Sequence, residues 1–252
     1  MARFDNKIVL VTGAANGIGR CMVKCFLAEG AEKLVAVDIE HDTLEDAFGD
    51  EDRVHTIPCD ITDYDAVHRM VDEAVERFGR IDILLNNAGV AVRGGVDTLS
   101  VEDWNKSFDT NVKGIFLVSK YVVPQMKEQK YGKIVNIASV NAVIADKSDL
   151  FIRHSYNASK AAVLGLTKGM ACSYAQYNIT VNAIGPALFE TEMTAGTLFK
   201  SQEFLNGYNT LNPAGRPGKK GELNGTVLYL SSDASSYVQG QFIIVDGGGA
   251  LV

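Results

Sequence analysis

The chain runs to 252 residues, enough for one α/β unit with a full core and scant for two. Its 46% apolar and 22% charged residues exclude long disorder, and 24 basic against 31 acidic residues, a net charge of −7 with no basic tract, argue against nucleic acid as a partner. The early apolar run, residues 8–11, is too short for a signal peptide or membrane span, and Cys21, Cys25, Cys59 and Cys172 form no C-x-x-C pair and meet no histidine at zinc-ligand spacing, so a cytoplasmic protein with reduced thiols and no metal is expected.

Along the chain, short β-branched runs alternate with longer helical patterns. Strands are expected over 7–11, 33–38, 54–58, 81–86, 133–138, 180–184 and 241–245, and helices over 18–29, 43–48, 63–78, 101–129, 155–177 and 219–231. Asp63 ahead of the third helix, Gly79 behind it and Ser100 with Asp103 three residues on supply capping signals. This βαβ alternation implies a seven-stranded, doubly wound parallel sheet with helices on both faces. No repeat or Pro/Gly/Ser linker divides it, so residues 1–252 are read as a single domain. Residues 187–218 are polar and glycine-dotted and follow the sixth strand, where substrate lids tend to sit in open α/β sheets.

Two motifs carry chemistry. Thr12-Gly13-Ala14-Ala15-Asn16-Gly17-Ile18-Gly19 lies between the first strand and the first helix, the setting of a phosphate cradle. Gly13 permits the tight turn, Gly17 a close backbone approach to a pyrophosphate, and Gly19 close packing of helix on strand. Asp38 closes the second strand, where a carboxylate accepts both hydroxyls of an adenosine ribose and repels a 2′-phosphate. No Arg or Lys stands at Ala14, Ala15 or Asn16, and Ile39 and Glu40 follow Asp38. NAD(H) is therefore expected in preference to NADP(H). The second motif is Tyr156 with Lys160 four residues later. A phenol with an ordinary pKa of about 10 needs help to act near neutral pH, and an ammonium one helical turn away supplies it.

Over essentially its whole length the chain resembles the short-chain dehydrogenase/reductase family. The likeness is carried by the glycine loop, Asp60-Ile61, Asn86-Asn87-Ala88-Gly89, Asn111, Ser139, Tyr156-x3-Lys160, Asn182-x3-Pro186, Thr191 and Val245-Asp246-Gly247-Gly248. The resemblance implies a Rossmann fold and a catalytic tetrad of Asn111, Ser139, Tyr156 and Lys160. It also implies a cofactor set of Gly13, Asn16, Gly17, Ile18, Gly19, Asp38, Ile39, Asp60, Ile61, Asn87, Ala88, Gly89, Tyr156, Lys160, Pro186 and Thr191. Within it, Asp60 and Ile61 would contact the adenine and Thr191 the nicotinamide carboxamide. Chemistry agrees: Ser139 can donate to a substrate oxygen, Tyr156 can move the proton, and Lys160 can lower the Tyr156 pKa and bind the nicotinamide ribose.

Two features depart from the family pattern. Ala187 stands where most members have glycine, and residues 140–155 separate Ser139 from Tyr156 by several more residues than is usual. That segment holds Asp146, Lys147, Asp149, Arg153 and His154, and its cations can bind a carboxylate; a solvated loop is the competing reading. Asn141, Lys147, Arg153, His154 and Leu188 are the substrate candidates. Residues 184–194 are similar to the gluconate 5-dehydrogenase-like branch, pointing to a polyol or keto-sugar acid. The expected activity is the interconversion of a secondary alcohol and a ketone. Alternatives are a 3-oxoacyl thioester reductase, opposed by Asp38 and the charge of −7, and a non-catalytic NAD-binding scaffold, opposed by the complete tetrad. The resemblance suggests a homotetramer, with the helices starting near Val101 and Ser155 and the segment 242–252 in its interfaces.

Overall fold

The computed structural model describes residues 3–145, 152–190, 198–219 and 221–252. Its parallel strands are β1 (Ile8–Thr12), β2 (Lys33–Asp38), β3 (Val54–Pro58), β4 (Ile83–Asn86), β5 (Gly132–Ile137), β6 (Ile179–Pro186) and β7 (Phe242–Val245). They form one seven-stranded sheet in the order β3-β2-β1-β4-β5-β6-β7. The helices are α1 (Gly17–Ala28), α2 (His41–Phe48), α3 (Tyr64–Phe78), α4 (Val101–Phe108), α5 (Gly114–Gln129), α6 (His154–Tyr174), α7 (Gln202–Leu211) and α8 (Asn224–Ser231). This is the doubly wound Rossmann-like architecture. The order reverses between β1 and β4, so their carboxyl ends diverge and open a crevice.

β1 shows how pattern becomes packing. All five of its residues are buried, and alternate side chains enter opposite layers. Val9 and Val11 pack with Met22, Val23 and Phe26 of α1 and Val227 and Leu228 of α8. Leu10 points the other way, into Val67, Met70 and Val71 of α3 and Leu117, Val118 and Val122 of α5. Helices on both faces are why the strand reads as a continuous apolar run. Truncating Leu10 to alanine would cost about 2–5 kcal/mol.

The caps form as expected. Asp63 accepts from the Ala66 amide at 2.8 Å, Ser100 accepts from the Asp103 amide at 3.0 Å, and Gly79 takes the left-handed conformation at φ 75°. Strand and helix ends shift by a residue or two in several places, and the larger differences are these. The helix expected over 101–129 is α4, a π turn at Asp109–Lys113, and α5. The helix expected over 155–177 ends at Tyr174 and closes in a 3-10 turn, with Asn178 left-handed at φ 58°. The helix expected from 219 begins at Asn224, and the proposed lid segment contains α7, whose N-cap Ser201 accepts from the Phe204 amide. No described helix is long and apolar enough to cross a membrane.

Candidate active site

The site begins at the turn after β1. Gly13 has φ 67°, the left-handed region that glycine enters without steric penalty. A Cβ on Gly19 would lie 2.0 Å from the Gly13 carbonyl oxygen, so helix and loop approach this closely only because the side chain is missing. Asn87 fastens the turn, its side-chain nitrogen donating to the Thr12 and Gly13 carbonyls, both at 3.0 Å. Thr12 Oγ1 in turn accepts the amides of Asn87 and Ala88 at 3.0 and 3.1 Å. Asn16, the N-cap residue of α1, does not cap the helix with its side chain; that amide donates to Glu40 instead.

A continuous crevice of about 1610 Å³ starts at this loop and crosses the carboxyl ends of the strands. That exceeds the roughly 300–1,000 Å³ of a drug-sized ligand site, and it suits a dinucleotide beside a second molecule. The glycine cradle, the helix N-terminus with its partial positive charge, and the strand-end carboxylate of Asp38 all fit such a cofactor. Gly13, Asn16, Gly17, Ile18, Asp38, Ile39, Asp60, Ile61, Asn87, Ala88 and Gly89 line the crevice. Further along, Ser139, Asn141, Arg153, Tyr156, Lys160, Pro186 and Leu188 line the same space. Gly19 and Asn111 lie behind the wall, and His154 lies outside it. The His154 Nδ1 accepts the Val96 amide at 3.0 Å and the ring is solvent-exposed, because the backbone bridge of Arg153 to Gly94 turns His154 toward that loop. Lys147 and Thr191 fall outside the described residues.

The catalytic candidates converge from separate elements. Ser139 follows β5; its Oγ accepts the Asn141 amide at 3.2 Å and donates to Asn141 Oδ1 at 3.4 Å. Lys160, one turn further along α6, is buried and donates to the Ile137 carbonyl at 2.8 Å, with Nζ 5.7 Å from the centre of the Tyr156 ring. A Cβ on Gly89 would sit 3.3 Å from this Nζ and 3.0 Å from Asn111 Oδ1, so this glycine leaves room for both groups. The π turn delivers Asn111. Its Oδ1 accepts the Val90 amide at 2.8 Å while Nδ2 donates to the Val90 carbonyl at 2.9 Å and to Ser159 Oγ at 3.0 Å. Ser159 then donates to the Tyr156 carbonyl at 2.8 Å, tying the start of α6 to the turn. Deeper in α6, Thr167 accepts from Asn136, which accepts from Asn86, each at 2.9 Å.

At the centre, burial is the largest influence on both titrating groups. Burial raises the Tyr156 pKa, opposed by the hydrogen bond from Ser139 and the positive charge of Arg153. Burial also lowers the Lys160 pKa to about 8. The physical reason is desolvation: each charged form loses water on being packed against the protein, and the Lys160 amine is turned to the Ile137 carbonyl.

Several wall residues carry no signal in the sequence. Lys106 at the end of α4 and Asp109 and Thr110 in the π turn reach the crevice, as do Phe204 and Tyr208 of α7 and Asn212 after it. Asn212 Nδ2 donates to the Asp246 carbonyl at 2.7 Å, and the Asp246 carboxylate accepts the Gly248 and Ala250 amides. Gly249, Ala250 and Val252 thereby form part of the wall. The aromatic pair Phe204 and Tyr208, four apart on α7 with ring centroids at 6.1 Å, is the one feature a helical reading of residues 187–218 would have picked out.

Comparison with known proteins agrees with this architecture. A family model described as "Enoyl-(Acyl carrier protein) reductase" matches residues 13–249. A gluconate 5-dehydrogenase of Gluconobacter oxydans is 40% identical over 243 residues, 95% of this chain and 93% of its own. A 3-oxoacyl-(acyl-carrier-protein) reductase of Thermotoga maritima is 39% identical over 250 residues, 98% of each chain. The structure of a gluconate 5-dehydrogenase from Burkholderia cenocepacia, in complex with NADP and tartrate, superposes with a TM-score of 0.92 at 35% identity, covering 99% of this chain and 97% of that one. The chain belongs to the short-chain dehydrogenase/reductase family and is an oxidoreductase.

Proposed function

We propose that the protein interconverts a secondary alcohol and a ketone with NAD(H), Tyr156 being the acid/base. The observation that carries this reading is that Ser139, Tyr156 and Lys160 line the same crevice as the glycine loop. The nicotinamide, when bound, supplies or accepts the hydride. Gly13, Gly17 and the N-terminus of α1 would hold the pyrophosphate, Asp38 the adenosine ribose, Asp60 and Ile61 the adenine, and Lys160 the nicotinamide ribose, with Pro186 and Thr191 near the ring. In reduction, Ser139 donates a hydrogen bond to the carbonyl oxygen and Tyr156 gives that oxygen its proton; in oxidation, the proton returns. A protonated Lys160 favours the phenolate, and Asn111 holds the π turn beside it.

Asp38 supports NAD(H) over NADP(H). Arg153 in the crevice wall supports a substrate with a carboxylate, such as a keto-sugar acid or an acidic polyol, as do the gluconate relatives. A second reading, reduction of a 3-oxoacyl thioester, is favoured by the Thermotoga relative and opposed by Asp38. Residues 1–252 act as one catalytic unit with 187–218 as its lid, and the free thiols of Cys21, Cys25, Cys59 and Cys172 support a cytoplasmic setting. A homotetramer is supported by Trp104 and Phe116, 39% and 49% exposed, and by the apolar edge strand β7, each residue of which is partly exposed.

Turnover measured on keto-sugar acids, polyols, simple ketones and 3-oxoacyl thioesters with NADH and NADPH tests the reading. NADH-dependent reduction of a keto acid is expected. Exclusive NADPH-dependent reduction of the thioester would replace it with the second reading, and no turnover of any substrate would leave a binding scaffold.

A further inference from the structure

The nucleotide end of the crevice has two carboxylates. Asp38 is held by backbone, its Oδ2 accepting the Ala15 amide at 2.9 Å and its Oδ1 the Glu40 amide at 3.1 Å. Glu40 is held by side chains: its Oε2 accepts Asn16 Nδ2 at 3.1 Å and Thr43 Oγ1 at 3.3 Å. Asn16 stands at the entry to α1 and Thr43 near the start of α2, so Glu40 bridges the loop after β1 and the loop after β2. Asn16, Asp38 and Glu40 all line the crevice.

An unrestrained surface glutamate would swing away from an incoming anion at small cost, since exposed charges interact weakly and keep many rotamers. Two donors on one oxygen remove that escape. The second oxygen then stands as a fixed acceptor for a ribose hydroxyl and a fixed charge against a phosphate.

We propose that Glu40, clamped by Asn16 and Thr43, is a second determinant of nucleotide choice that disfavours the 2′-phosphate of NADP(H) even where Asp38 is neutralised. This rests on the reading that the crevice holds NAD(H). A 2′-phosphate carries close to two negative charges near neutral pH, and one fixed carboxylate a few ångströms away in a wet site changes its affinity by about tenfold.

The test is binding, read by fluorescence titration of the full-length protein with NADH and NADPH, with thermal melts to show that each variant is folded. Glu40→Gln, which keeps the shape and removes the charge, is expected to shift the ratio of the two dissociation constants about tenfold toward NADPH. Asp38→Asn alone is expected to leave NADPH the weaker ligand, and the double variant to bring the two close to parity. Asn16→Ala, which keeps the charge and removes the clamp, is expected to shift the ratio in the same direction by less. Added salt should shrink the preference of the unaltered protein by screening and have little effect on the ratio of the double variant, a response that a merely structural role for Glu40 would not give. An unchanged ratio in Glu40→Gln, or parity reached by Asp38→Asn alone, overturns the proposal and leaves the NAD(H) reading intact. Equal affinities in the unaltered protein overturn the NAD(H) reading and the proposal with it.

Discussion

The two ends of the crevice are built on different principles. At the nucleotide end, functional groups sit on strand termini and on the glycine turn, held by backbone contacts such as Asn87 to Thr12 and Gly13 and Asp38 to Ala15. At the other end, the wall is made of loops and α7: Asn141, Ala145, Arg153, Leu188, and Phe204 and Tyr208 on α7. The segment that carries α7 is tied in place through Asn212, which donates to the Asp246 carbonyl. A scaffold that binds one constant cofactor is served by sheet geometry, whereas a substrate site is tuned by segments that vary without disturbing the sheet. Tyr156 and Lys160 stand at the junction, on a helix fixed to both sides.

If the two ends are separable, a change at one should leave the other intact. The largest effect is expected for Tyr156→Phe: turnover falls by about 10³-fold, within the range of lost general acid–base catalysis, while the NADH dissociation constant from fluorescence titration moves less than twofold. Retained turnover would remove Tyr156 as the acid. Gly19→Ala should do the converse. The new methyl meets the Gly13 carbonyl, and overpacking of roughly 1–3 kcal/mol should weaken NADH binding by about 10–100-fold or lower the melting temperature, with the two measured together; no change in either would show that the loop yields freely.

The junction gives a pH test. A lowered Lys160 pKa means that the ammonium is present below about 8 and is lost as pH rises through that value. The rate constant for ketone reduction should accordingly hold up to about pH 8 and decline above it. Lys160→Arg, which stays charged, should carry whatever activity it retains to higher pH; a profile identical to that of the unaltered protein would remove Lys160 as the titrating group. The smallest effect is expected at Arg153. Replacement by alanine should raise KM about tenfold for acidic hydroxy or keto substrates and less than threefold for neutral ones, with NADH affinity unaffected. Equal changes for both substrate sets would retire the carboxylate anchor.

Sequence alone determined the elements whose causes are local. The apolar run of β1, the caps at Asp63, Ser100 and Gly79, the glycine turn and the Tyr156–Lys160 spacing follow from periodicity, capping and steric freedom within a few residues. The tertiary structure decided the rest, because it depends on contacts between segments far apart in the chain. The break at Asp109–Lys113 exists to let Asn111 pair with both backbone groups of Val90, which no helical period announces. His154 leaves the crevice because Arg153 is bridged to Gly94. Asn16 meets Glu40 because the pairing of β1 with β2 brings the loops that follow them together. The sign of the Tyr156 shift belongs to the fold as well, since desolvation is a property of the enclosed site and not of the neighbours in sequence.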